Sequence, residues 1–266
     1  MIIYAAIAMI VAAAVIGGIA LRRARRYRRL GAELVKVRQA EATRMNALPP
    51  HQPPPSFAAL IATIPNFLPD RQFTDLVREV EALAGAERSY VPTHKKGGTI
   101  AYETLIARAP SVTGLYHSEA LQSLVSLTVG VKVAPTPLHD QSSLSVLVYD
   151  RPGDHIGWHY DHNFYRGRHF TLLLPVVNIG RSANGISHAR LSANIDGAGC
   201  EIGTPPNTLV LFEGAKVLHK VSPILDGERR VVIIMTYCAD ARASAAQAVA
   251  RRVKDTAFFG VRALWS

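Results

Sequence analysis

Cysteine is nearly absent from this chain, with only Cys200 and Cys238 among 266 residues. The two share no CxxC spacing and lie in apolar or strand-like surroundings. That excludes a disulfide framework and a zinc knuckle and fits a reducing compartment, with a single Cys200–Cys238 disulfide left open. Charge is also scarce, at 19% of residues against 48% apolar, a balance that excludes a disordered chain and is enough for one sizeable core. No internal repeat is present. Between the flanks there is no excess of positive charge either. Residues 22–44 carry +7 and residues 241–266 carry +4 of the net +10, which leaves −1 for the body. A nucleic-acid enzyme needs a basic footprint on its catalytic body, so no nucleic-acid partner is expected.

The longest uncharged stretch comes first. Met1 to Leu21 contains no charged side chain, and as a helix it would be about 31 Å long, close to the hydrocarbon thickness of a bilayer. Nothing basic precedes it, as a cleaved signal peptide would require. Instead Arg22, Arg23, Arg25, Arg26, Arg28 and Arg29 follow it. Such a cluster resists translocation, so the reading is a single-pass transmembrane anchor at 1–21 with the rest of the chain facing the cytoplasm. Residues 22–56 form a basic helical stalk, whose charge suits anionic lipid headgroups, and a spacer stiffened by Pro49, Pro50, Pro53, Pro54 and Pro55. Residues 57–240 form the compact domain, and 241–266 a basic C-terminal helix or tail. In that tail Val249, Val253 and Phe258 fall along one stripe. A helix packed on the body is the simpler reading; Phe259 and Trp265 at a membrane surface is the other.

Within the domain, Phe73, Leu76, Val77, Val80 and Leu83 recur at helical spacing after Asp70, and Gly85 suits a helix stop. A second apolar helix is predicted over Ser118–Thr128. After Gly130 the pattern shifts to short runs rich in Val, Ile, Leu and aromatics: Ser142–Tyr149, Phe170–Val177, Thr208–Phe212 and Arg230–Tyr237. The fold class is therefore mainly β with flanking helices, and so many short strands with Gly, Pro and Asn turns suggest a jelly roll.

One constellation carries chemistry. His159-Tyr160-Asp161 follows a Pro152-Gly153 turn and Gly157, which argue for extended backbone and against a helix pairing His155 with His159. On a strand, His159 and Asp161 point one way and Tyr160 the other. His155, His162 and His169 are background among ten histidines, with His155 and His162 near the cleft. Downstream, His219 ends a strand-like run, and Arg229 opens an apolar strand after Gly227. Two imidazoles and one carboxylate leave coordination positions open and suit Fe(II), while a buried arginine at a strand mouth requires an anion.

At these residues the chain resembles the Fe(II)/2-oxoglutarate-dependent dioxygenases, in their prolyl 4-hydroxylase-like branch. The motifs are VYDRPGDHIGWHYD and HKVSPILDGERR, and the likeness covers residues 57–240. The resemblance implies a double-stranded β-helix fold in which His159, Asp161 and His219 hold iron, Arg229 grips the distal carboxylate of 2-oxoglutarate and Tyr149 donates to the cosubstrate. Arg230 competes with Arg229, because one residue of register exchanges their faces. The implied reaction spends O₂ and 2-oxoglutarate, gives succinate and CO₂, hydroxylates a C–H bond and uses ascorbate as reductant. With Asp161 present, the halide-for-carboxylate exchange of the related halogenases is not expected. The stretch RSANGISHARLSANIDGAGCEIG departs from the family's Gly-rich acidic pattern, which leaves the substrate open between a peptidyl proline and a membrane-proximal lipid or metabolite. The alternatives are a non-catalytic jelly-roll binding module and a jelly-roll metal enzyme that does not use 2-oxoglutarate.

Overall fold

The computed structural model describes residues 2–46, 54–83, 86–91, 94–195 and 197–259. Helix α1 (Ile2–Asn46) leads to strand β1 (Ile61–Ile64), helix α2 (Asp70–Glu81), strands β2 (Glu87–Val91) and β3 (Lys95–Ile100), and helices α3 (Tyr102–Arg108), α4 (Pro110–Tyr116) and α5 (Glu119–Val129). The β region follows as β4 (Ala134–Pro135), β5 (Leu144–Tyr149), β6 (His155–His159), β7 (His169–Ile179), β8 (Leu191–Ile195), β9 (Ala198–Ile202), β10 (Leu209–Phe212), β11 (Leu218–Val221) and β12 (Arg229–Cys238). Helix α6 (Ala245–Phe259) closes the described chain.

The strands run antiparallel in the order β1-β10-β7-β12-β5-β3-β6-β11-β8-β9, with β2 on β3 and β4 on β12. This is a half-barrel with flanking helices, consistent with a jelly roll. Its central strands are buried on both faces, so they read as continuous apolar runs. On β12, Val231, Ile233, Met235 and Tyr237 join the helical core built on Leu76, Leu105, Leu115 and Val125. The alternate residues Arg230, Val232, Ile234 and Thr236 line the interior of the half-barrel. A second apolar cluster there includes Tyr149, Leu173, Leu191, Phe212 and Val232.

The predicted helices form for the expected reasons. Leu76 and Val80 of α2 are buried, and Phe73, Val77 and Leu83 pack beside them. Helix α5 begins at Ser118, whose hydroxyl accepts from the Leu121 amide at 3.1 Å, a side-chain cap of the usual kind. Gly85 and most of the Pro-rich spacer lie outside the described residues.

Two terminal regions differ from expectation. The basic stretch after residue 21 does not stand free as a stalk, because it continues α1 and docks on the body. Leu30 is buried and Tyr27 packs against the helical core. Arg26 pairs with Glu103, and Arg44 with Asp75 at 3.1 Å. Of the expected anchor, residues from Ile2 onward are helical, but most of the side chains between Met1 and Leu21 lie outside the described set. Among the described residues no helix is long and apolar enough to cross a membrane. Helix α6 does pack on the body, yet not through its valine stripe: Val249 and Val253 are 57% and 65% exposed, while Arg251 and Asp255 are buried. Ion pairs override apolar periodicity here. Arg251 meets Asp255 at 3.0 Å, and Lys254 donates to Ser142 Oγ at 2.6 Å. The side chains of Phe258 and Phe259, and all of Trp265, lie outside the described residues.

Candidate metal centre and cosubstrate cavity

The turn before β6 positions the first ligand. Gly153 adopts φ +80°, a left-handed conformation costly for a side-chain-bearing residue. The fully buried Asp154 accepts from the amides of Asp150 and Arg151, both at 3.1 Å, which fixes that turn. Strand β6 then pairs with β11, setting His159 opposite His219, with a register shift before Val221 and Ile156 pair. A bulge of this kind re-aims a side chain locally.

His159, Asp161 and His219 each offer a ligand atom, and the three atoms lie within 4.8 Å of one another. Asp161 Oδ1 is 3.6 Å from His159 Nε2 and 3.8 Å from His219 Nε2. A cation with bonds of about 2.1 Å holds adjacent ligand atoms about 3 Å apart, so shifts of less than about an ångström per side chain would seat one. Both imidazoles have their tautomer set. His159 Nδ1 donates to Gly157 O at 2.8 Å, and His219 Nδ1 to Val217 O at 2.9 Å. That leaves each Nε2 lone pair for a metal.

Asp161 is held from behind. Its Oδ2 accepts from Thr171 Oγ1 at 2.6 Å, and its amide donates to Gly214 O at 2.9 Å. A Cβ at position 214 would collide with the Asp161 carboxylate and with Thr171 Oγ1, so only glycine lets these two backbones approach. Burial alone would raise the Asp161 carboxyl, but the attraction it would have for a proton on either neighbouring imidazole, His219 or His159, and the hydrogen bond from Thr171 hold it well below the usual carboxylate range. Burial pulls His159 down and the adjacent carboxylate more than restores it, whereas in His219 burial prevails and favours the neutral ring.

Beyond the triad a cavity of about 160 Å³ runs into the half-barrel. Tyr149 and Arg230 lie opposite each other in the β5–β12 register and share its inner face. Arg230 is 1% exposed, with its guanidinium 5.9 Å from the Tyr149 ring centroid and only a long 3.5 Å contact to Thr204 Oγ1. Among the described residues, Arg230 Nε and the Tyr149 hydroxyl are buried with no hydrogen-bond partner. Burial raises the Tyr149 phenol to about 12, opposed by the Arg230 charge, so the hydroxyl stays a donor at neutral pH. Orphaned donors of this kind, on a buried cation, fit a carboxylate ligand.

The arginine chosen from sequence is therefore corrected. Arg229 faces the helical side, where its Nη1 reaches Glu81 Oε1 of α2 at 2.7 Å in a pair about 40% exposed. It does not line the cavity. Alternation along β12 sends Arg229 outward with Val231 and Arg230 inward with Val232.

The other residues singled out from sequence fall as follows. Tyr160, expected to face away, is half exposed at the cavity rim, and His162 also lines the cavity. His155 lies outside the lining and bonds Gly153 O. His169, set aside from sequence as background, lines the cavity, as do Lys95 and Lys254. His169 stands at a strand start, where an inward reading was available from Thr171 and Leu173. Lys95 and Lys254 sit in polar stretches that carried no such signal.

A family model described as Halogenase D matches residues 57–258. No curated protein matches. Solved structures of similar fold include SnoN, a non-heme α-ketoglutarate-dependent epimerase from nogalamycin biosynthesis, 11% identical with a TM-score of 0.53 over 67% of this chain and 77% of that one. A prolyl hydroxylase from Trichoplax adhaerens, in complex with a hypoxia inducible factor peptide, is 15% identical with a TM-score of 0.52 over 68% and 84%. SnoK, a carbocyclase of the same dependence and pathway, is 12% identical with a TM-score of 0.52 over 70% and 81%. These likenesses show a shared fold. The family match spans most of the chain, and the protein belongs to the Halogenase D family.

Proposed function

We propose that this protein is an Fe(II)- and 2-oxoglutarate-dependent oxygenase that hydroxylates a C–H bond. The observation that carries the reading is the convergence of His159, Asp161 and His219 on one point, at the head of a cavity whose inner end holds Arg230 and Tyr149. Iron, 2-oxoglutarate and O₂ together would supply the oxidising chemistry, with succinate and CO₂ as coproducts. The protein's part is placement. The backbone bonds at Nδ1 hold both imidazoles in one orientation, and Asp161 fills the third position. Arg230 would pair with the far carboxylate through two N–H donors, and the Tyr149 hydroxyl would donate to the same ligand. Leu173, Val221 and Val232 keep that end apolar, which strengthens charge pairing by excluding water.

Halogenation is the second reading, and the family's description favours it. Asp161 argues against it, since a carboxylate in that position leaves no protein-vacated place for a halide. The membrane segment and cytoplasmic orientation belong to the same proposal. In it residues 1–21 anchor the chain and the exposed Arg22, Arg25, Arg28 and Arg29 meet anionic headgroups, with the substrate a peptidyl proline or a membrane-proximal lipid or metabolite. Docking of α1 on the body would then hold the cavity at a fixed distance from the bilayer.

The test is succinate formation by the purified full-length protein with Fe(II), ascorbate and 2-oxoglutarate, while peptide pools, membrane extracts and chloride are varied. Turnover stimulated by one fraction, lost in Asp161→Ala and yielding a hydroxylated product with or without chloride, is the expected result. Turnover unaffected by Asp161→Ala, or a chlorinated product, would overturn it.

A further inference from the structure

The cavity continues past the metal triad, away from Arg230. In the β7–β12 register Arg230 lies opposite Asn178, Thr236 opposite Thr171, and Cys238 opposite His169. Thr171 carries the hydroxyl that holds Asp161, so the level of the triad falls between the Arg230 end and His169. Arg230 and Thr236 are about 20 Å apart at the usual rise per strand residue, whereas His169 stands about 7 Å beyond Thr171 on the same face. His169 lines the cavity and is 5% exposed. Its Nδ1 is buried with no hydrogen-bond partner among the described residues.

The charged groups at this end are engaged by the protein. Lys254 reaches in from α6 and donates to Ser142 Oγ at 2.6 Å, with Asp255 Oδ1 at 3.0 Å and Asp140 Oδ1 at 3.4 Å. Asp140 also accepts from the Tyr165 hydroxyl at 2.8 Å and the Ser142 amide at 3.0 Å. Lys95 Nζ donates to Thr99 Oγ1 at 2.7 Å. The Tyr165 ring, tied to Asp140 through its hydroxyl, stacks 6.2 Å from that of His169 at 21°. Burial pulls the His169 imidazole down against the Asp161 and Asp140 charges that would raise it, so the ring is neutral at pH 7. A buried polar atom left without a partner incurs its full desolvation penalty, which a ligand's hydrogen bond removes.

On the oxygenase reading above, on which this inference rests, we propose that His169 is the specificity-determining residue for the primary substrate, an uncharged molecule whose hydroxyl bonds Nδ1 while its carbon skeleton extends toward the triad. A hydroxyl serves either imidazole tautomer, because it both donates and accepts. A carboxylate or ammonium would arrive where the lysines and Asp140 are already held by protein partners, and its desolvation would go uncompensated. The reacting C–H lies a few bonds from that hydroxyl, since His169 stands one strand repeat from the support of Asp161. Tyr165 is a positioning residue that acts through its stacking on His169.

Calorimetry on the full-length protein, loaded anaerobically with Fe(II) and saturating 2-oxoglutarate, tests this with matched sets: cyclohexanol, cyclohexanecarboxylate and cyclohexylamine; benzyl alcohol, benzoate and benzylamine; 3-phenylpropan-1-ol with its acid and amine. In at least one set the alcohol is expected to bind tenfold or more tighter than the acid and the amine. That preference should shrink to within twofold in His169→Phe, with 2-oxoglutarate affinity changed less than threefold. His169→Gln, which keeps a hydrogen-bonding side chain, should hold the alcohol within threefold of wild type. No alcohol binding, acid or amine binding as tightly as the alcohol in every set, a preference unchanged in His169→Phe, or one lost equally in His169→Gln would each overturn the proposal. If His169→Phe does not fold, the wild-type sets and His169→Leu decide it. Alcohol preference in a protein that cannot bind 2-oxoglutarate would refute the oxygenase reading and leave this subsite standing.

Discussion

Arg229 and Arg230 are adjacent on one strand and meet opposite surroundings. Arg229 makes an ion pair with Glu81 that is about 40% exposed on both sides, a kind worth about 0–1 kcal/mol. Arg230 is fully enclosed, and burial lowers its affinity for its proton despite the Tyr149 ring beside it. A sheet that buries a guanidinium without an anion incurs a cost that packing alone does not offset. The outer arginine serves the contact between β12 and α2, whereas the inner one lines the cavity and, on the proposed reading, would bind the cosubstrate. Lys36 is exposed on α1 near Glu33, whereas Lys95 is buried in the cavity wall and donates to Thr99 Oγ1.

The largest effect should come from breaking this contrast at the inner residue. Arg230→Met is expected to weaken 2-oxoglutarate binding by 100-fold or more, since a bidentate charge-assisted pair is lost, while Arg229→Met changes it less than threefold. Next comes the support of the triad. Gly214→Ala forces a Cβ against Asp161 and Thr171 and should weaken Fe(II) binding at least tenfold by competition with a chelating dye, with the circular dichroism spectrum retained. Unchanged metal affinity would mean that Asp161 is free to relocate.

Lys95 gives a pH-resolved version of the contrast. Burial pulls its ammonium down to about 7. Between about 7 and the free-lysine value of about 10.4 the unfolded chain therefore binds a proton that the folded chain has released, and stability rises with pH across that window. Lys95→Met removes this cost. Urea unfolding of the metal-free protein should show the variant more stable at pH 6, by up to about 4 kcal/mol, with the gain fading by about pH 10. A pH-independent difference would contradict the burial argument. The smallest effect belongs to the outer residue, where Arg229→Met should cost no more than about 1 kcal/mol by the same unfolding measurement.

The first half of the triad was legible because it is local, a Pro-Gly turn followed by an extended His-x-Asp, and the distant His219 stood out within a strand-like run of its own. The helical packing of Leu76 and Val80 was legible too, through periodicity. The choice between two arginines was not, because β12 is apolar on both faces and lacks the alternation that would assign one. The cue is the pairing of Arg230 with Tyr149. Residues opposite each other in an antiparallel pair share a face, so an inward Tyr149 commits Arg230, but the register between β5 and β12 is a long-range property. Helix α6 misled for a related reason: its valines mark a stripe, yet its buried face is built from Arg251, Lys254 and Asp255 bonded to a distant loop.

The most direct measurement is an anaerobic calorimetric titration of 2-oxoglutarate into Fe(II)-loaded wild type, Arg229→Met and Arg230→Met. Binding by the first two and its loss in the third is the outcome this assignment requires. Binding retained in Arg230→Met, or lost in Arg229→Met, would contradict it.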